Sequence, residues 1–127
     1  MLRSQSERVA LEAVSALGRA GNSTGEGRPY VGAAARLQRI AMARRDLAAS
    51  ALFRLSQTAN QREAISRLVE VALSENASAT VAIPLLMHNT GNEGLEAARV
   101  LYVKRSVRQK NAVEQLEHYA HGRGWVR

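Results

Sequence analysis

Ala77-Ser78-Ala79-Thr80-Val81-Ala82-Ile83-Pro84-Leu85-Leu86-Met87-His88-Asn89 is the stretch on which the fold turns. Val81, Ala82, Ile83, Leu85, Leu86 and Met87 leave it almost without a polar face. A helix apolar all round belongs at the centre of a protein, enclosed by others. Pro84 either kinks this helix or marks its first turn, since proline has no N–H to donate and crowds the turn before it. The flanking sequence must then supply helices with one apolar face each.

Upstream it does. Residues 61–75 place Ala64, Ile65, Leu68, Val69 and Ala72 on one face, with Thr58 or Asn60 available as cap. Residues 30–57 carry the strongest helical signal, a stripe of Ala33, Leu37, Ile40, Ala41, Leu47, Ala48, Ala51, Leu52 and Leu55. With no Gly after Gly32 and no Pro, the run predicts one helix, roughly 40 Å long at the usual rise per residue. Residues 18–29 hold Gly18, Gly21, Gly25, Gly27 and Pro29 and read as a flexible connector. Before it, Val9, Ala10, Ala13, Val14 and Leu17 predict a helix over 4–18.

Downstream, Asn89-Thr90-Gly91-Asn92 reads as a stop and restart, with Asn92 as N-cap and Glu93 and Glu96 in the first turn, where acids are favoured. A last long helix is predicted over 93–120 through Leu95, Ala98, Leu101, Tyr102, Val113, Leu116 and Ala120. Val100-Leu101-Tyr102-Val103 has local strand character, which leaves a break open there. Residues 122–127 read as a loop. No internal repeat is visible. The expectation is all-α: a single domain over 1–127, a bundle of four to six helices with short connections.

Composition narrows the class. A chain of 127 residues with 46% apolar content is long enough for one core. Alanine is its commonest residue, and Phe53 and Trp125 are the sole Phe and Trp. Small side chains allow close packing but bury little area each, so stability should be modest unless a partner adds interface. The absence of Cys excludes disulfides and thiolate metal sites and fits a reducing, cytoplasmic setting. No apolar run suits a signal peptide or a membrane span, so no membrane partner is expected.

The 18 basic residues outnumber the 11 acidic ones, for a formal charge of +7. All the basic residues except Lys104 and Lys110 are arginine, and all the acids except Asp46 are glutamate. GC-rich coding accounts for part of the arginine and alanine, so clustering carries more weight than the choice of Arg over Lys. Two clusters stand out. Arg36, Arg39, Arg45 and Arg54 ring the outside of the 30–57 stripe, with Arg36, Arg39 and Arg54 in one sector. Arg44 falls inside the stripe, so it either pairs with a Glu within the bundle or marks a face that a partner covers. The second cluster is Arg99, Lys104, Arg105, Arg108 and Lys110, with no acid between Glu96 and Glu114. Lys104 and Arg108 would sit i, i+4 on a continuous helix and repel mildly. A bound anion would relieve that repulsion, and a helical surface of this charge suits a polyanion such as RNA or single-stranded DNA. In the tail, Arg123 and Arg127 flank Trp125, which either docks the terminus or stacks on a base.

Other motifs fail on inspection. The glycine-rich connector lacks the Gly-Lys-Ser/Thr ending and the preceding strand of a phosphate loop. A helix-turn-helix over 68–86 would have no Gly in its turn and Pro84 inside its recognition helix. Glu114, Glu117, His118 and His121 lie close on one helix, but no Glu stands three residues before a His and no second such motif exists. A solvated Glu/His pairing fits them better than a metal site. His88 reads as a helix-end residue. No Ser or Thr has a base at readable spacing. No catalytic residue, metal or cofactor is therefore expected. A non-catalytic nucleic-acid-binding subunit is the leading reading. A protein-interaction or regulatory adaptor comes second, and a small helical enzyme or metal-binding protein third.

In size, helicity, basicity and lack of catalytic residues, the whole chain resembles the small helical subunits of multi-subunit CRISPR effector complexes. The resemblance is architectural. It implies a ribonucleoprotein component of antiviral defence that stacks with other protein subunits, copies of itself among them, and lines the groove for a guide or target strand.

Overall fold

The computed structural model describes residues 32–125. The expected helix over 4–18 and the connector at 18–29 lie outside this range, as do Val126 and Arg127. Helix α1 (Ala33–Ala43) is followed by a 3₁₀ turn (Arg45–Leu47) and by α2 (Ala48–Ser56), α3 (Gln61–Ala72), α4 (Ala79–His88), α5 (Gly91–Lys104) and α6 (Lys110–Arg123). The described residues are all-α, with no strand.

Helix α4 is the centre that its apolar sequence requires. Ala79, Ala82, Ile83, Leu85, Leu86 and Met87 are buried, and α4 packs against α2, α3, α5 and α6. The chain is already winding before it: the Ala79 N–H donates to the Asn76 carbonyl at 3.0 Å and the Thr80 N–H to Ala77 at 3.0 Å. Pro84 therefore lies inside the helix, where its missing N–H removes the bond that would run to the Thr80 carbonyl. Buried alanines (Ala51, Ala64, Ala72, Ala98 and Ala112) let the surrounding helices approach closely.

The single helix expected over 30–57 is instead two helices packed against each other. At the break, Arg44 is extended, with φ −122° and ψ 97°. Its guanidinium grips Asp46 in a fork, Nε to Oδ1 at 3.1 Å and Nη2 to Oδ2 at 2.7 Å. Residues two apart on a straight helix do not face each other, so this pair forms only because the chain bends. A second support comes from far along the chain. The Asn76 side chain donates to the Met42 carbonyl at 3.0 Å, satisfying the end of α1. The bend places Leu37, Ala41, Ala51, Leu52 and Leu55 in one core instead of along one long face. Tertiary packing overrides the helix-forming sequence here.

The α3 cap is Asn60, whose side chain accepts the Glu63 N–H at 3.1 Å. Thr58 instead donates its hydroxyl to Leu55 O at 3.0 Å. Removing the cap with Asn60→Ala should cost about 1 kcal/mol. Urea titration checks it: the midpoint falls and the m-value stays constant.

Asn92 is not the cap of α5. The helix begins two residues earlier than expected, at Gly91, and Thr90 holds the capping position. Thr90 is buried and its hydroxyl turns back to donate to Leu86 O at 3.1 Å, pinning the end of α4. Gly94 lies directly over this junction. A Cβ there would fall 2.7 Å from Thr90 Cβ, 2.8 Å from the Leu86 carbonyl oxygen, and into the Thr90 hydroxyl.

The long helix expected over 93–120 breaks at Arg105, past the strand-like Val100–Val103. Val107 is drawn into the core there, and Gln109 restarts the chain by accepting the Ala112 N–H at 2.8 Å. The terminal segment is not all loop: α6 continues to Arg123. Among the described residues, no helix is long and apolar enough to cross a membrane.

Candidate functional site

The corner between α5 and α6 is built by a capping motif that appears twice among the described residues. At the end of α5, the Arg105 N–H donates to Tyr102 O at 3.1 Å and the Ser106 N–H to Leu101 O at 3.2 Å. At the end of α6, the Gly124 N–H donates to His121 O at 3.3 Å and the Trp125 N–H to Ala120 O at 2.9 Å. Both are Schellman closures, which need a left-handed residue at the turn. Gly124 meets that need without strain at φ 73°; Arg105 adopts φ 51° with a full side chain. The left-handed conformation costs an ordinary residue roughly 1–2 kcal/mol. Arg105→Gly should therefore stabilise the fold by roughly 0.5–1 kcal/mol, after the looser unfolded chain is counted. A thermal melt showing a lower Tm would mean that the arginine side chain contributes folded-state contacts greater than this strain.

The corner carries Lys104, Arg105, Arg108 and Lys110, all exposed. None of them forms an ion pair with a described residue. Arg99 differs: its Nη1 meets Glu96 Oε1 at 3.2 Å, so its charge is locally balanced. The expected repulsion between Lys104 and Arg108 does not arise as drawn, because the helix ends between them. Beside these cations runs a groove of about 380 Å³, its open side included. Tyr102, Val107, Val113 and Leu116 line it, with Arg105 and Glu117 at its rim. Trp125 is half-buried, its ring 6.2 Å from that of Tyr102. It packs against the bundle beside Tyr102. Arg123 is exposed at the end of α6, and Arg127 lies outside the described residues.

The first cluster is rearranged by the bend. Arg36 and Arg39 are exposed on α1, Arg45 opens the 3₁₀ turn, and Arg54 is half-buried on α2. Arg36, Arg39 and Arg54 therefore share no helix face. Acids of α3 also reach this region. Gln38 Nε2 donates to Glu70 Oε2 at 2.8 Å, Arg67 Nη1 donates to Gln38 Oε1 at 2.9 Å, and Arg67 Nε lies 3.7 Å from Glu63 Oε1. Arg39, Arg67 and Glu70 line one open groove between α1 and α3, where charge of both signs meets. Arg44, expected either to pair with a Glu inside the bundle or to mark a face that a partner covers, has a side chain 43% exposed and paired with Asp46 instead of a buried Glu.

The Glu/His segment of α6 brings no metal-holding group together: among the described residues, no three His, Asp or Glu side chains converge. His88 closes edge-on against Tyr119 at a centroid distance of 5.5 Å, tying the end of α4 to α6. Comparison with family models, curated proteins and solved structures finds no match to this chain, so the chemistry of the α5–α6 corner carries the functional reading.

Proposed function

We propose that this chain is a non-catalytic helical subunit that binds the phosphate backbone of nucleic acid, with little sequence preference, through the α5–α6 corner. One observation carries the reading: Lys104, Arg105, Arg108 and Lys110 stand exposed on one turn and loop without an acidic partner among the described residues. Arginine forks and lysine ammoniums hold phosphates, and the counterions they release drive association. The α1 arginines are secondary, because Glu70 lines the same groove as Arg39.

A subunit role is supported by α5 itself. Val100 and Val103 are exposed one turn apart, Val103 at 64%, and lie next to the basic corner. Apolar side chains so placed suit contact with another protein chain. Together the two surfaces fit a small subunit of a ribonucleoprotein assembly, in the manner of the CRISPR effector subunits that the chain resembles.

Charge reversal tests the reading. Arg105→Glu with Arg108→Glu should abolish binding to a generic single-stranded oligonucleotide at low salt, measured by fluorescence anisotropy. Unchanged affinity would place the nucleic-acid surface elsewhere or remove it.

A further inference from the structure

We infer that the groove beside the basic corner takes one unstacked base, so that the site selects single-stranded over duplex nucleic acid. The inference rests on the phosphate-binding reading and adds the strand state and the base site. Three features support it. The groove is a cleft with one open side, the concave form that small-ligand sites take. Its walls are largely apolar, with Tyr102 in the lining and the Trp125 ring next to that of Tyr102. The cations border it directly: Arg105 belongs both to the groove and to the corner. A strand whose phosphates lie on Arg105, Arg108 and Lys110 has its bases within reach of the groove. In a duplex those bases are paired and stacked, and the groove stays empty.

The rim separates a base from an acidic, amphipathic peptide, which would also suit cations beside an apolar groove. Glu117 lines the groove. A base brings ring or amino N–H donors to that carboxylate. An acidic peptide brings a second carboxylate and is repelled.

The test uses the full chain and three labelled 12-mers at low salt: a single strand, its duplex, and an abasic single strand of equal charge. The intact single strand should bind about tenfold tighter than the abasic strand, the scale of one base–aromatic contact. The duplex should show no such advantage. Val113→Phe, which fills the groove and leaves every cation in place, should reduce the intact strand to the abasic level. Equal binding of all three 12-mers to the unaltered protein overturns the base site and leaves the phosphate reading standing. Binding of none of them overturns both. A designed acidic amphipathic helix that binds in the groove while the oligonucleotides do not would make the partner a protein and overturn the proposal.

Discussion

Gly94→Ala should lower the melting temperature by on the order of 10–20 °C. The methyl group would meet the Thr90 side chain and, at 2.8 Å, the Leu86 carbonyl oxygen. Thr90 is nearly fully buried, and its hydroxyl already bonds Leu86 O, so it has no open space to turn into. The carbonyl belongs to the last turn of α4, the helix on which most of the bundle rests, and cannot retreat without moving that turn. Forcing a methyl into a closed contact costs about 1–3 kcal/mol, and losing the buried hydroxyl's bond adds to it. Alanine's better helix propensity returns about 1 kcal/mol. A net loss of about 2–3 kcal/mol converts to that shift in Tm for a domain of this size. Gly122→Ala is the control. Its Cβ would meet nothing within 4 Å, so it should be neutral or stabilising by about 0.5–1 kcal/mol. Equal melting of the two variants, followed by circular dichroism, would mean that α5 does not sit as closely on α4 as described.

The salt dependence of oligonucleotide binding should fall when two corner arginines are neutralised. Four phosphate contacts on a single strand give a log–log slope near −2.8, at about 0.7 per contact. A fourfold rise in salt then weakens the unaltered chain about 50-fold. Arg105→Asn with Arg108→Gln leaves two contacts, and the same rise should cost only about sevenfold. Asparagine is chosen at 105 because it tolerates the left-handed backbone that this position holds. The change in slope separates a role in phosphate contact from a general loss of fold, which would lower affinity without following the count of cations. An unchanged slope would mean that these arginines touch no phosphate.

The helical class and the central α4 were legible because apolar content and period are local properties. Val81–Met87 reads as buried without reference to any other segment. Asn60 was legible for the same reason as one of two possible caps, Thr58 being the other. The two breaks were not. Arg44 sits among good helix formers with no Gly or Pro. What bends the chain is the fork to Asp46 and the amide of Asn76, which arrives from 34 residues away. At Arg105, the expected glycine is replaced by an arginine that bears the strain. Gly124, in the same motif, occupies the position where glycine is usual, but its neighbours read as loop. The basic corner was visible as an acid-free run, though drawn as part of one continuous helix instead of a turn. The α1 arginines looked equally promising in sequence. Glu70 enters the groove beside Arg39 from α3, which no local pattern shows.

The break at Arg105 also sets two helix ends of opposite polarity against each other. The last turn of α5 presents partial negative charge from its carbonyls, and Lys104 lies there to offset it. The first turn of α6 presents partial positive charge from its amides. It contains no acid, and Lys110 stands at its first position. The field across the corner is therefore graded and rises from α5 toward α6. A phosphate chain crossing it meets its strongest attraction on the α6 side, so the corner has a direction as well as a charge.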